Sequence, residues 1–304
     1  MKIRVLPVLL LMPFLFSCQE KEPSKENPST NVALDSLREK INTIISSKHA
    51  RVGVAIVGLE DHDTLTIRGN EQFTMMSVVK FPQALAILRR VDEGKLTLEQ
   101  TLHFTGEDMK QHTYSPMHDV YNGQSASLTL AQTIKYAVGS SDNIACDKLF
   151  TLWSPRQTEM SIHSMGCKNM GIGTDYANIT DSTLSKNWST PFAMVQLLEK
   201  FYGHDLLSDT SRSFLWKLMV ETQNPADRIK GKLPPSAVVA HKTGTMSRVN
   251  GVVPAFNDVG IVTLPNGKHF AIVVFVNDSK EGDEANASII ADISKAAWDY
   301  FSRK

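Results

Sequence analysis

The 304-residue sequence predicts an α/β lobe joined to an all-α lobe: an antiparallel five-stranded sheet flanked by terminal helices, with a helical lobe inserted. Three observations carry this. Amphipathic helical patterns stand near both ends of the folded part. Strand patterns occur early and late but not between. The roughly 150 residues separating them carry helical periodicity. The first helix spans 32–46, with Leu34, Leu37, Ile41, Ile44 and Ile45 on one stripe. Strands follow at 51–59 and 64–68, joined through the polar turn at Glu60, Asp61, His62 and Asp63. Helices are expected at 78–91, 128–138, 143–153, 156–165, 191–202 and 211–221. Strands return at 237–243, 258–264 and 269–276, the last two linked by the tight-turn signal Pro265, Asn266, Gly267. A closing helix places Ile289, Ile290, Ile293, Ala297 and Phe301 on one side. The lobes divide as 34–70 with 222–304 (α/β) and 71–221 (helical).

The first residues read differently. Lys2 and Arg4 precede an apolar run over 5–16, broken by Pro7 and Pro13, which is the layout of an export signal and too short to span a membrane. The run ends in Leu15, Phe16, Ser17 and Cys18, which resembles a bacterial lipobox. The resemblance implies a lipoprotein signal peptide over 1–17, a lipidated Cys18, and attachment at the periplasmic side of a bacterial membrane through lipid alone. An ordinary signal peptide with an incidental cysteine is the alternative. Residues 18–33 then act as a flexible tether, since they carry no hydrophobic period. With 32 basic and 32 acidic residues and no basic stripe, no nucleic-acid partner is expected; a monomer is. Cys146 and Cys167 could pair after export, but Cys146 lies in an apolar helical run and reads as a buried thiol.

Three short motifs carry the chemistry. Ser77 and Lys80 are spaced i, i+3, so on a helix the amine reaches the hydroxyl and can activate it. Ser141, Asp142 and Asn143 lie between two helical runs. Lys242, Thr243 and Gly244 end a strand, with Thr245 after them. Each alone has a plain structural reading: an N-cap serine with a surface lysine, a helix cap, a strand end with a turn glycine. In this order and at these separations they resemble the motif set of class A serine β-lactamases and penicillin-binding proteins. The likeness covers 34–304. It extends to Tyr114 before Ser115 and Pro116, which resembles the family's site-walling loop, and to Asn187, Trp188, Ser189, Thr190 and Pro191, which resemble the exit of its Ω-loop.

The resemblance implies a two-lobed fold with the site in the crevice, and roles for each residue. Ser77 is the nucleophile, with Lys80 its base. Ser141 delivers a proton to the lactam nitrogen, and Asn143 holds the substrate's amide. Lys242 and Thr243 hold its carboxylate. Gly244 allows close approach of the ligand to the strand edge, and the N–H groups of Ser77 and Thr245 form an oxyanion hole. No cofactor is implied. One part departs from the pattern. The family's Ω-loop carries a glutamate that orients the deacylating water, yet no glutamate lies between Glu159 and Glu199. Asp175 stands nearest that place after one deletion, with Asn178 beyond it; its alternative is a turn residue. No His-Glu-x-x-His or similar spacing indicates a metal. The leading expectation is hydrolysis of β-lactams through a serine acyl-enzyme. The rivals are a β-lactam-binding or peptidoglycan-directed protein of the same fold that deacylates slowly, an esterase, and a non-catalytic lipoprotein.

Overall fold

A computed structural model describes Met1 and residues 28–110, 113–180, 182–223 and 225–304. The expected signal peptide, Cys18 and most of the tether lie outside these residues. In chain order the elements are α1 (Pro28–Ser46), β1 (Arg51–Gly58), β2 (Thr64–Ile67), β3 (Phe73–Thr74), a 3₁₀ turn (Met76–Val79), α2 (Lys80–Asp92), β4 (Thr101–Phe104), α3 (Gly106–Met109), α4 (Pro116–Tyr121), β5 (Ala126–Thr129), α5 (Leu130–Gly139), α6 (Asn143–Leu152) and α7 (Pro155–Ser164). After these come β6 (Met170–Ile172), a second 3₁₀ turn (Leu184–Lys186), β7 (Asn187–Ser189), α8 (Pro191–Tyr202), α9 (Asp209–Val220), β8 (Val238–Thr245), β9 (Val253–Thr263), β10 (His269–Ser279) and α10 (Asp283–Phe301).

The main sheet has five antiparallel strands in the order β2-β1-β10-β9-β8. Early and late strands thus join through β1 against β10, as the sequence predicts. Alternation sorts their side chains between faces. Val52, Val54 and Ile56 pack with Leu37, Ile41, Ile290 and Ile293 under the terminal helices, whereas Ala55 and Val57 join the core shared with the helical lobe. Both faces are covered, which is why these antiparallel strands read as continuous apolar runs.

The helical lobe is organised around α2. Every residue from Lys80 to Leu88 is buried, so the helix is enclosed on all sides. Small sheets that the sequence did not disclose brace this lobe: β3-β7-β6 and the pair β4-β5. Helix α1 begins at Pro28, within the stretch expected to be tether, although the apolar stripe is readable only from Val32. Among the described residues no helix is long and apolar enough to cross a membrane.

Candidate active site

Ser77 sits in the 3₁₀ turn that feeds α2, where the lobes meet. Its neighbour Met76 has φ +49, a left-handed backbone that costs a non-glycine residue roughly 1–3 kcal/mol and must be held by its surroundings. Asn257 of β9 supplies part of that hold: its Nδ2 donates to the carbonyls of Thr74 (2.8 Å) and Met75 (3.2 Å). Gly244 of β8 supplies more. A Cβ there would stand 2.3 Å from the Met75 carbonyl oxygen and 3.0 Å from the Val78 nitrogen. The glycine therefore lets the protein's own turn lie against the strand, a requirement for glycine here in addition to the ligand's approach expected of it.

Lys80, the first residue of α2, is fully buried. Its Nζ lies 2.9 Å from Ser77 Oγ, 2.6 Å from the Ser141 carbonyl oxygen and 2.6 Å from Asn143 Oδ1. Burial lowers its pKa to about 8, against the pull of Cys146 and the Asp142 and Asp147 carboxylates. About a tenth of the molecules then carry the free amine at pH 7, against roughly one in three thousand for an unshifted lysine. The i, i+3 spacing thus brings the amine into hydrogen-bond contact with the hydroxyl.

Ser141 has φ +58 and joins α5 to α6. The turn is held from both sides, because Asp142 N–H donates to the Tyr136 carbonyl and Asn143 N–H to that of Tyr114. Asp142 is the N-cap of α6, its Oδ1 taking the Ala145 amide and its Oδ2 the Ser115 hydroxyl and the Met117 amide. The cap reading of this motif therefore falls on Asp142 and leaves the Ser141 hydroxyl free of it. Asn143 Nδ2 donates to Thr113 Oγ1 at 2.7 Å, so part of the amide is engaged within the protein.

Lys242 was expected to present its charge to a substrate carboxylate. It is instead fully buried, with Nζ 2.9 Å from Ser141 Oγ and 2.9 Å from the Thr243 carbonyl oxygen. Burial first, and the Lys80 charge next, hold its pKa well below that of an ordinary lysine. Its position makes it a partner of Ser141. A second cation near the site is one that the motifs missed, and it is buried as well, 4% exposed. Arg228 lines the same cleft, and its Nη2 donates to Thr245 Oγ1 at 2.7 Å while its Nη1 holds the Asn257 carbonyl. Arginine stays charged even when buried. No spacing signal in the loop before β8 marks it.

The cleft has a volume of about 490 Å³, and Ser77, Tyr114, Ser141, Asn143, Thr243 and Thr245 line it together. That is within the range of small-molecule sites. Tyr114 is 64% exposed and forms an outer wall. β8 is the edge strand of its sheet, so one side of the strand that carries Thr243 and Thr245 faces away from β9.

Asp175 does not join this set. Its Oδ1 accepts from Asn178 N (2.9 Å) and Asn178 Nδ2 (2.7 Å), which makes it a turn former, and it does not line the cleft. The catalytic role expected for it is withdrawn. The next residue reaches the chemistry instead: Tyr176 Oη donates to Ser77 Oγ at 3.2 Å. The loop is pinned so that it does. Asp147 Oδ1 accepts the Tyr176 amide at 2.7 Å, and Asn187 brackets Thr174 through both ends of its amide. Cys146 and Cys167 are buried free thiols; burial raises both, Cys167 to about 11.

Comparisons with known proteins agree with this geometry. The model of a family described as the beta-lactamase enzyme family matches residues 36–301. Beta-lactamase VEB-1 of Pseudomonas aeruginosa is 41% identical over 281 residues, covering 90% of this chain and 93% of its own. The extended-spectrum beta-lactamase PER-1 of the same organism is 39% identical, covering 88% of each. The crystal structure of a beta-lactamase from Chitinophaga pinensis superposes with a TM-score of 0.85 at 41% identity, covering 87% of this chain and 98% of that one. That of the TLA-3 extended-spectrum beta-lactamase gives 0.87 at 40% identity, covering 88% and 99%.

Proposed function

The chain belongs to the beta-lactamase enzyme family as a class A serine β-lactamase, and we propose that it hydrolyses β-lactams through an acyl-enzyme on Ser77. The observation that carries the assignment of the nucleophile is the 2.9 Å contact between Lys80 Nζ and Ser77 Oγ at the wall of the cleft. In acylation the neutral Lys80 amine takes the Ser77 proton as Oγ bonds to the lactam carbonyl carbon. The C–N bond then breaks, and Ser141 gives its proton to the nitrogen. Lys242, 2.9 Å from Ser141 Oγ, replaces that proton; an ammonium held below its ordinary pKa gives it up readily.

The N–H groups of Ser77 and Thr245 serve as the oxyanion donors in this reading. The Thr243 and Thr245 hydroxyls, the latter oriented by Arg228, receive the substrate carboxylate, and Asn143 with Tyr114 borders its side chain. The chemistry needs no cofactor. Export, lipid attachment at Cys18 to the periplasmic side of a membrane, and a monomeric state without a nucleic-acid partner complete the proposal, on the sequence features alone. The slow-deacylating and esterase alternatives are not favoured. Turnover of a penicillin and a cephalosporin by the wild type and by Ser77→Ala tests the assignment: loss of turnover by at least about 10⁴-fold in the variant supports it, and retained turnover overturns it.

A further inference from the structure

Two polar side chains touch the nucleophile's oxygen. One is the Lys80 amine and the other is the Tyr176 phenol. Among the described residues no carboxylate is within hydrogen-bonding distance of Ser77 or Lys80. Asp175 is spent on Asn178, Asp142 on the α6 cap, and Asp147 on the Tyr176 backbone amide, and none of the three lines the cleft.

We propose that Tyr176 is a further catalytic residue, a hydrogen-bond donor to the departing Ser77 oxygen in deacylation, with Lys80 as the base for the attacking water. The proposal rests on the Ser77 acyl-enzyme. Between the half-reactions Lys80 releases to solvent the proton it took from Ser77, and Lys242 regains one from solvent. The neutral Lys80 amine then takes one proton from the attacking water as the water oxygen bonds to the acyl carbon. The C–Oγ bond then breaks, and the proton on Lys80 passes to Ser77 Oγ across their 2.9 Å contact. The phenol keeps its own proton throughout and stabilises the charge on Oγ as the bond opens. Burial raises the Tyr176 pKa well above that of an ordinary tyrosine, which suits a donor and disqualifies a base. The Lys80 ammonium over the Tyr176 ring, 4.5 Å from its centroid, ties the two groups into one unit.

The role separates the two half-reactions. In acylation Oγ is the attacking atom, and a donor on it gives no help. In deacylation Oγ leaves, and the donor does. Tyr176→Phe, followed by stopped-flow absorbance and intact mass with a cephalosporin, is therefore expected to acylate at least as fast as wild type and to deacylate on the order of 100-fold more slowly, with the acyl adduct accumulating. Asp175→Asn is expected to leave deacylation unchanged. Deacylation unchanged in Tyr176→Phe, or both steps falling together, overturns the role. Should Tyr176→Phe fail to fold, Tyr176→Leu, which carries no donor, decides the point: a larger loss in deacylation than in acylation supports the role, and equal losses overturn it. Peptide mapping of the adduct keeps the two readings apart. An adduct away from Ser77 defeats the acyl-enzyme itself, whereas an adduct on Ser77 with wild-type deacylation defeats only the part given to Tyr176.

Discussion

Asp147→Asn is expected to stabilise the protein at alkaline pH and to change it little at acid pH. Asp147 lies on α6, and one of its oxygens, Oδ2, is buried with no hydrogen-bond partner among the described residues. Burial raises its pKa from 3.8 to about 7, against the backbone amides of Tyr176 and Ala177 and the Lys80 charge. The folded state therefore binds a proton that the unfolded chain releases, and stability falls as pH climbs from about 4 to about 7. A shift of about three units amounts to about 4 kcal/mol in full, of which about 3 kcal/mol falls between pH 5 and pH 8. Asparagine keeps the Oδ1 acceptor for the Tyr176 amide and carries no charge. Its unpaired N–H costs about 1–2 kcal/mol, comparable to the unpaired acid oxygen it replaces. Urea unfolding at pH 5 and pH 8, with equal slopes, reads the effect. The variant is expected to gain about 2–3 kcal/mol relative to wild type on going from pH 5 to pH 8. An unchanged difference between the two pH values would show that Asp147 is already an ordinary carboxylate in the fold and that the burial reasoning fails.

Two further outcomes follow from the same geometry. The acidic limb of kcat/KM should rise through about pH 8, where Lys80 loses its proton, and Lys80→Arg should abolish turnover because a guanidinium stays charged; a limb centred below pH 6 would exclude the lysine as base. Gly244→Ala should lower the unfolding free energy by about 1–3 kcal/mol and impair acylation, since its Cβ would push on the Met75 carbonyl and displace the Ser77 turn; a variant with wild-type melting temperature and acylation rate would show that β8 and the turn do not depend on that approach.

The features legible in the sequence are those that recur in short windows. Ser77 with Lys80 is an i, i+3 pair, and Ser141 to Asn143 and Lys242 to Thr245 are contiguous, so their residues could be named before any fold was known. The sheet was equally legible, because β1 and β10 are apolar on both faces and β1 pairs with β10 over its whole length. What escaped notice depends on contacts between distant segments. β3, β6 and β7 are two or three residues long, too short to carry a period. Tyr176 adjoins Asp175, and charge alone favours the aspartate for a catalytic part. Only the Asp147 and Asn187 contacts settle which of the two side chains turns toward Ser77. The setting of Lys242 is hidden for a similar reason: charge is visible in a sequence, but burial beneath Ser141 is not, and no spacing marks Arg228.

The most direct test of the account is to mix purified protein with excess cephalosporin and to follow lactam absorbance and intact protein mass together. Continuous loss of the lactam over many turnovers, with a transient adduct that maps to Ser77, is the expected result. Lactam loss without a Ser77 adduct under rapid quenching, or a single stoichiometric burst that leaves Ser77 permanently acylated, would contradict it.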